Sequence, residues 1–441
     1  MKLTIIGGGG FRVPLVYRAL LTTDGAPDRV ALHDTDPGRA RAIAAVLEGQ
    51  GAGGSGAPAV EVAGSLDEAL RGADFVFCAV RVGGTAGRVG DERTPLAEGV
   101  LGQETLGAGG VLYGLRTVPV ALRIARRVRE LAPEAWLINF TNPAGLVTEA
   151  MSAELGHRVI GICDSPLGLV RRAARAAGVD PREAGFDYLG LNHLGWLRTL
   201  THRGRDLLPG LLADEAALGS FEEGRLFGPR LLRALGSLPN EYLHAYYFRR
   251  EAVAAARAAG ETRGEFLHRQ QGAFFAAAER AAPAEAAALW ERARREREET
   301  YGAEARAASG AGPRDEEDLA GGGYERVAVA VMRALAADER TRLILNVRNA
   351  GCVAALPDDA VVETVCEVGR QGAHPVPCLT PGTAELGLML QVKAAERATL
   401  EAALTGSREA ALRALALHPL VDSASAAARV LDAAGPWPGL A

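Results

Sequence analysis

The chain has 441 residues, a formal net charge of -5 and 48% hydrophobic residues, enough for two or three domains with a large core. A mildly acidic balance gives no electrostatic drive toward nucleic acid or an anionic membrane. No run approaches the ~18 apolar residues of a membrane span, the stretch LTII is too short for a signal peptide, and five scattered cysteines (Cys78, Cys163, Cys352, Cys366, Cys378) make no disulfide framework, so a reduced cytoplasmic protein is expected.

In chain order, KLTIIGG reads as a buried strand stopped by glycine. VPLVYRALL has helical spacing with Pro14 in its first turn. RVALHD (29–34) is a second strand, and PGRARAIAAVLEG a helix ending at Gly49. GQGAGGSGAP (49–58) is a flexible loop. AVEVAG, ADFVFCAV, AWLINF and RVIGIC are further strands. LDEALRG, TVPVALRIARRVRELAP and PAGLVTEAMSAELG are the helices between them. This alternation over about 165 residues points to a doubly wound parallel sheet. Beyond about residue 200 the chain turns mostly helical, with a polar Gly-rich loop at 309–323 and strand-like runs RLILNVRN and VVETVCEVG. The run ERARREREET (291–300) reads as a solvated helix face with i,i+4 pairs.

A strand, a glycine turn (Gly7, Gly8, Gly9, Gly10) and a helix suit a pyrophosphate, because glycine allows close backbone approach and the helix start supplies N–H donors. The G-x-G-x-x-G spacing fails, since its third position falls on Arg12 or Val13. Asp34, at the end of the second strand, suits ribose hydroxyls and favours NAD over NADP; Asp36 could cap the next helix ahead of Pro37. Asn139 and Asn142 flank a strand end, as ligands or as helix caps. Cys163 and Asp164 end another strand, and His193 sits in YLGLNHLGW; Cys163 and His193 each have a plain core reading, and this Cys and His make no zinc signature. Tyr324 follows Gly321–Gly323 as a half-buried anchor or an acid/base. Arg348, between two asparagines, suits an anion or a turn.

In this order, GGGG after the first strand, GQETLGAGGVLYGLRT, NFTNPAGLVTEA, GICDSP, GLNHLGW, GGGY and NVRNAGCVAALPDDAVVE resemble glycoside hydrolase family 4, most closely its bacterial 6-phospho-β-glucosidases. The resemblance implies an α/β, Rossmann-like fold of the lactate/malate dehydrogenase kind over 1–190. A larger C-terminal α+β domain for substrate, metal and oligomerisation follows over 191–441. It implies a glycosidase that stands outside the two-carboxylate scheme. NAD takes hydride from sugar C3, a base removes the C2 proton, the C1 substituent leaves, water adds, and the hydride returns. The substrate would be a phosphorylated disaccharide or aryl glycoside, and the assembly a homodimer or homotetramer.

Carried over by residue, the resemblance makes Cys163 and His193 ligands of Mn²⁺ or another divalent metal, and Tyr324 the C2 base. It makes Asp164 the acid toward the leaving group, although several β-specific members carry Asn there. Gly7–Gly10, Phe11 and Asp34 fall to the cofactor. Arg88, Asn142 and Arg348 fall to the sugar or its phosphate. Many members have Ser-x-Tyr-x-Pro after three glycines; here Gly10-Phe11-Arg12-Val13-Pro14 stands instead, so Arg12 is expected on a substrate or cofactor phosphate, or as a surface residue. The alternatives are an α-glycosidase of the same family, a net dehydrogenase of the lactate/malate type, and a catalytically silent NAD-binding regulator.

Overall fold

Four apolar or β-branched side chains after Lys2, with all five residues buried, make β1 (Lys2–Ile6) the centre of a sheet. The computed structural model describes residues 1–52, 54, 56–302, 306, 323–435 and 437. β1 pairs in parallel with β2 (Arg29–His33) and β4 (Phe75–Cys78), β2 with β3 (Ala59–Val62), β4 with β5 (Trp136–Asn139), and β5 with β6 (Val159–Gly161). The order β3-β2-β1-β4-β5-β6 is that of a dinucleotide-binding sheet. Leu3 and Ile5 pack on one face, against Leu15, Ile43 and Trp290. Ile6 packs on the other, against Ile124, Val128 and Met151. This is the period-2 alternation of a strand.

The sheet does not stop at β6. β7 (Gly185–Leu191), β8 (Leu194–His202), β9 (Arg205–Asp206), β10 (Leu238–Pro239), β11 (Thr341–Arg348), β12 (Val361–Gly369) and β13 (Gly372–Pro375) continue it with antiparallel pairing. β11 joins β6 through the single pair Asn346↔Gly161, and β12 lies between β11 and β7. Position 190 thus falls within β7 of one continuous sheet.

Helices α1 (Val13–Leu20), α2 (Pro37–Gly51), α3 (Leu66–Leu70), α4 (Gly84–Ala97), α5 (Gly107–Leu131), α6 (Ala144–Leu155) and α7 (Ser165–Ala176) serve the first half. Asp36 caps α2, accepting from the Arg39 amide, with Pro37 in the first turn. α2 ends two residues past the expected Gly49, and α5 starts at Gly107 rather than Thr117. α4 was not expected, since GGTAGRVGDERTP carries glycines and a proline that disfavour helix. The loop expected at 309–323 lies outside the described residues except for Gly323, as do Gly53 and Ser55 of the loop at 49–58.

One expectation is overturned. The run 291–300 is not a solvated face: in the helix Pro283–Glu299, Arg294, Arg297 and Glu298 are buried. Helical periodicity sees only charge, whereas this helix packs between α2, the helix Arg263–Ala278 and the cavity described next.

Candidate active site

A cavity of about 900 Å³ opens at the C-terminal ends of β1, β4, β5 and β6 and runs past Cys163, His193 and Tyr324. Open α/β sheets bind ligands at this edge, where the strand order reverses. At one end stands the glycine turn. Gly7 has φ +83, and a Cβ there would lie 2.6 Å from the Ala79 carbonyl oxygen. A Cβ would come within 2.8 Å of Leu32 at Gly8, 2.8 Å of Arg39 at Gly9, and 2.9 Å of the Gly7 carbonyl oxygen at Gly10. The four glycines are therefore required by the protein's own strands and helix. Their amides are also spent: Gly7 and Gly8 donate to the His33 carbonyl, Gly9 to Asp34 Oδ2 and Gly10 to the Gly7 carbonyl, each at 2.9 Å.

The amides of Phe11 and Arg12, just ahead of α1, have no acceptor among the described residues. They, rather than the glycine amides, are the donors open to a pyrophosphate at this helix start. Gly8 does not line the cavity, which is a correction to the sequence reading. The Phe11 ring is core, edge-on to Phe274 at 5.3 Å, and its carbonyl accepts from Trp290 Nε1 at 2.8 Å. Asp34 lines the cavity and accepts from the Gly9 and Asp36 amides. These groups fit a dinucleotide.

Further along, His193 is the second residue of the two-residue turn joining β7 to β8, at φ 62. A left-handed histidine costs energy that function commonly explains. Its ring stacks on Tyr242 at 3.6 Å, and Nδ1 meets Thr105 Oγ1 at 2.9 Å. The Thr105 hydroxyl gives its one proton to Gln103 Oε1 at 3.1 Å, so Nδ1–H donates and Nε2 keeps the lone pair. Burial lowers the imidazole to about 4, which keeps it neutral. Cys163 follows β6, buried, its thiol pushed upward by burial, then by Glu363 and Asp164. Glu363 is fixed by Asn192 (3.1 Å), Asn346 (3.0 Å) and Tyr188 (3.1 Å), and burial raises it to about 7. A neutral imidazole lone pair and a thiol fit a divalent metal. No set of three or more His, Cys, Asp or Glu gathers among the described residues, so the remaining ligand positions fall to substrate or water.

Arg12, Asp164 and Tyr324 form a cluster between the two ends. The Arg12 guanidinium lies 4.2 Å from the Tyr324 ring centroid and 5.2 Å from that of Phe140, and is 3.5 Å from Asp164. Burial alone would raise Asp164, but Arg12 and the Gly323 amide hold it below the usual carboxylate range. Tyr324 is fully buried, stacks on Phe140 at 4.1 Å and donates its hydroxyl proton to the Arg12 carbonyl at 2.5 Å. Its phenol is raised, by burial first, against the opposing charge of Arg12. Arg12 is thus neither a surface residue nor a free cation.

Asn142 lines the cavity, its Oδ1 buried without a protein partner, and does not cap α6. Arg88 also lines it, paired with Glu92 (2.7 Å) and Glu104 (2.6 Å). Arg348 does not: the last residue of β11, it is exposed and absent from the cavity lining, which removes it from this chain's site. Among the arginines that the sequence reading left without a site role, Arg263 and Arg297 line it. Arg263 donates to Thr300 Oγ1 (2.6 Å) and the Arg297 carbonyl (2.7 Å), with no carboxylate in ion-pair range among the described residues. Arg297 pairs with Glu298. Burial, then Arg297 and Arg88, lower Arg263 to about 9. Crowded guanidiniums of this kind favour an anion. No motif marks Arg263, whereas Gln103 and Thr105 lay within the GQETLG motif without an assigned role.

Residues 2–179 match the family profile described as "Family 4 glycosyl hydrolase", and 188–421 match "Family 4 glycosyl hydrolase C-terminal domain". The chain is 33% identical to a "Probable 6-phospho-beta-glucosidase" of Bacillus subtilis, over 98% of this chain and 95% of that protein. It is similar to the 6-phospho-β-glucosidase of Thermotoga maritima solved with manganese, NAD⁺ and glucose-6-phosphate: TM-score 0.81, 25% identity, 98% and 97% covered. A 6-phospho-α-glucosidase from gut microorganisms, solved with NAD and Mn²⁺, gives TM-score 0.82, 26% identity, and 100% and 99% covered. Malate dehydrogenase of Plasmodium falciparum shares the fold alone, at TM-score 0.51 and 13% identity over 91% and 98% of the chains.

Proposed function

The chain belongs to family 4 of the glycosyl hydrolases, and from that premise we propose that it is an NAD- and Mn²⁺-dependent 6-phospho-β-glucosidase. Its substrate is a phosphorylated disaccharide or aryl glycoside. The observation that carries the phosphate is the guanidinium cluster of Arg88, Arg263 and Arg297, in which Arg263 lacks a carboxylate partner among the described residues. A 6-phosphate would supply that anion.

Bound NAD supplies a reversible hydride acceptor and the metal a Lewis acid. The chain's part is positioning and proton handling. The Phe11 and Arg12 amides receive the pyrophosphate, and Asp34 the ribose hydroxyls. Cys163 and His193 Nε2 hold the metal, the imidazole oriented by Thr105. Asn142 Oδ1 is free to take a sugar hydroxyl. Tyr324 is the base at C2: its phenol must lose a proton, and Arg12 over the ring favours the charged form. Asp164 is ionised beside Arg12, so it must first gain a proton to act as acid toward the leaving oxygen.

A panel of nitrophenyl α- and β-glycosides, with and without 6-phosphate, in NAD⁺, Mn²⁺ and reductant tests this. Hydrolysis of the β-6-phosphate without NADH accumulation, and with exchange of the C2 hydrogen, is expected. Hydrolysis of unphosphorylated sugars alone overturns the substrate, and net NADH supports a dehydrogenase. A 6-phospho-α-glucosidase is the second reading, favoured by Asp164 where several β-specific members carry Asn. A homodimer or homotetramer follows from the resemblance and a reduced cytoplasmic setting from the scattered cysteines, and light scattering tests the assembly.

A further inference from the structure

Two cysteines lie apart from this chemistry. Cys352 is in the turn between β11 and β12, and Cys378 in the segment between β13 and the helix Thr383–Thr405. Their sulfurs are 3.3 Å apart. Both flanks are held: Asn349 Nδ2 donates to the Val353 (2.9 Å) and Leu356 (2.8 Å) carbonyls, and its Oδ1 accepts from the Val353 amide (2.7 Å). On the other side the Val376 amide donates to the Val365 carbonyl (2.9 Å), and Arg198 Nη2 to that of Leu379 (2.6 Å). Two segments fastened independently thus present their thiols to each other.

Both residues are half-buried, unlike Cys78, Cys163 and Cys366, which are buried. The Cys378 thiol, donating to Cys352, lowers Cys352 to about 7 against the pull of burial, while Cys378 itself is raised. A partly exposed sulfur with thiolate character, beside a resolving thiol, is the arrangement of a redox-responsive pair. Soft-metal binding is less well served, since no third His, Cys, Asp or Glu joins them among the described residues.

We propose that Cys352 and Cys378 are a site of reversible oxidation, closing to a disulfide on exposure to a hydroperoxide and pinning the β11–β12 turn to the segment entering the helix Thr383–Thr405. The Cys352 thiolate attacks one peroxide oxygen, the O–O bond breaks, and hydroxide leaves, so that Cys352 becomes a sulfenic acid and the peroxide is reduced. The Cys378 sulfur then attacks the Cys352 sulfur. The S–O bond breaks, and the hydroxyl leaves as water with the Cys378 proton. A dithiol reductant returns the two electrons. Closure requires the sulfurs to approach by roughly 1.2 Å, within the reach of small side-chain rotations. Disulfides of reducing compartments are mostly transient ones of this kind.

The test treats the full-length enzyme, with NAD⁺ and Mn²⁺ present, with one equivalent of hydrogen peroxide, alkylates the free thiols and maps tryptic peptides. The expected product joins peptide 349–370 to 371–393 with loss of two hydrogens, and dithiothreitol reverses it. Fragmentation assigns the bridge, because Cys366 shares the first peptide. Cys352→Ser and Cys378→Ser each abolish the product, and Cys366→Ser keeps it. Separate alkylation of Cys352 and Cys378, their separate oxidation to sulfinic acids, or a bridge through Cys366 overturns the proposal; the wild-type map alone decides this if a variant fails to fold.

Discussion

At the nucleotide end of the cavity the candidate groups come from residues 7–12 and 34, within one β-α-β unit, and act largely through backbone. At the catalytic end, Arg12, Cys163, His193 and Tyr324 come from four regions, and the bond between Tyr324 and Arg12 spans 312 positions. The first end has fixed geometry and few coupled charges. The second is a crowd of ionisable groups whose states depend on one another: Arg12 holds Asp164 down, burial holds Tyr324 up, and Glu363 is raised close to Cys163. Substitution at the first end should therefore act on binding and stability, and at the second on turnover.

The largest effect tests that contrast directly. Cys163→Ala and His193→Ala should each lower kcat by about 10³-fold or more, through loss of the metal. Tyr324→Phe should lower it by about 10²–10⁴-fold with loss of C2 exchange. NAD⁺ affinity, read by fluorescence titration, should change little in all three. A parallel loss of NAD⁺ binding would merge the two ends into one unit.

Next, Arg263→Ala should raise KM for the 6-phosphorylated substrate by about 10–100-fold, as expected for one charge-assisted contact. Its KM for the unphosphorylated glycoside should hold. Equal changes would take Arg263 off the phosphate. Arg12→Ala sharpens the border between the two ends. If Arg12 serves Asp164 and Tyr324 rather than a phosphate, its loss should lower kcat about equally on both substrates and shift the pH–rate profile.

At the nucleotide end, Gly7→Ala should destabilise the fold by roughly 2 kcal/mol in denaturant titration, because φ +83 and the contact with Ala79 oppose a Cβ. Asp34→Asn should weaken NAD⁺ by about tenfold with little effect on kcat.

The smallest effect concerns pH. His193 and His418, lowered to about 4 by burial, contribute stability present above the unfolded value of 6.5 and lost as pH falls toward 4. Glu363, raised to about 7, acts in the opposite sense: its contribution is intact below 4.5 and lost as pH rises toward 7. The two trends oppose each other between pH 5 and 6.5. Glu241, raised to about 8, and Glu325, raised to about 7, act in the same sense as Glu363, so Glu363→Gln, which removes one of these raised carboxyls, should show a steeper fall of stability on acidification, by about 1 kcal/mol. An unchanged slope would mean that Glu363 is ionised in the folded protein.

The parallel half of the fold was readable because its signals are local. Apolar runs such as KLTII and FVFC, the Asp36–Pro37 cap and the glycine turn each declare themselves within a few residues. Family resemblance added Cys163, His193, Asp164 and Tyr324, and the structure brings all four to one cavity. What misled was also local: ERARREREET has the charge of a solvated face, yet its Arg297 lines the site, and Arg348 sits in a promising motif but at the exposed last position of β11, outside the cavity lining.

By itself the sequence determined the parallel, doubly wound character of the first half and the glycine turn at its cofactor end, and the family resemblance singled out Cys163 and His193. These depend on short-range pattern or on residues that stand out singly. Only the tertiary structure decided that the glycines serve packing while the next two amides stay open. It alone placed Arg12 between an acid and a phenol, assembled Arg263 with Arg88 and Arg297, and set Cys352 beside Cys378. Those outcomes depend on burial and on neighbours distant along the chain, and a one-dimensional pattern carries neither.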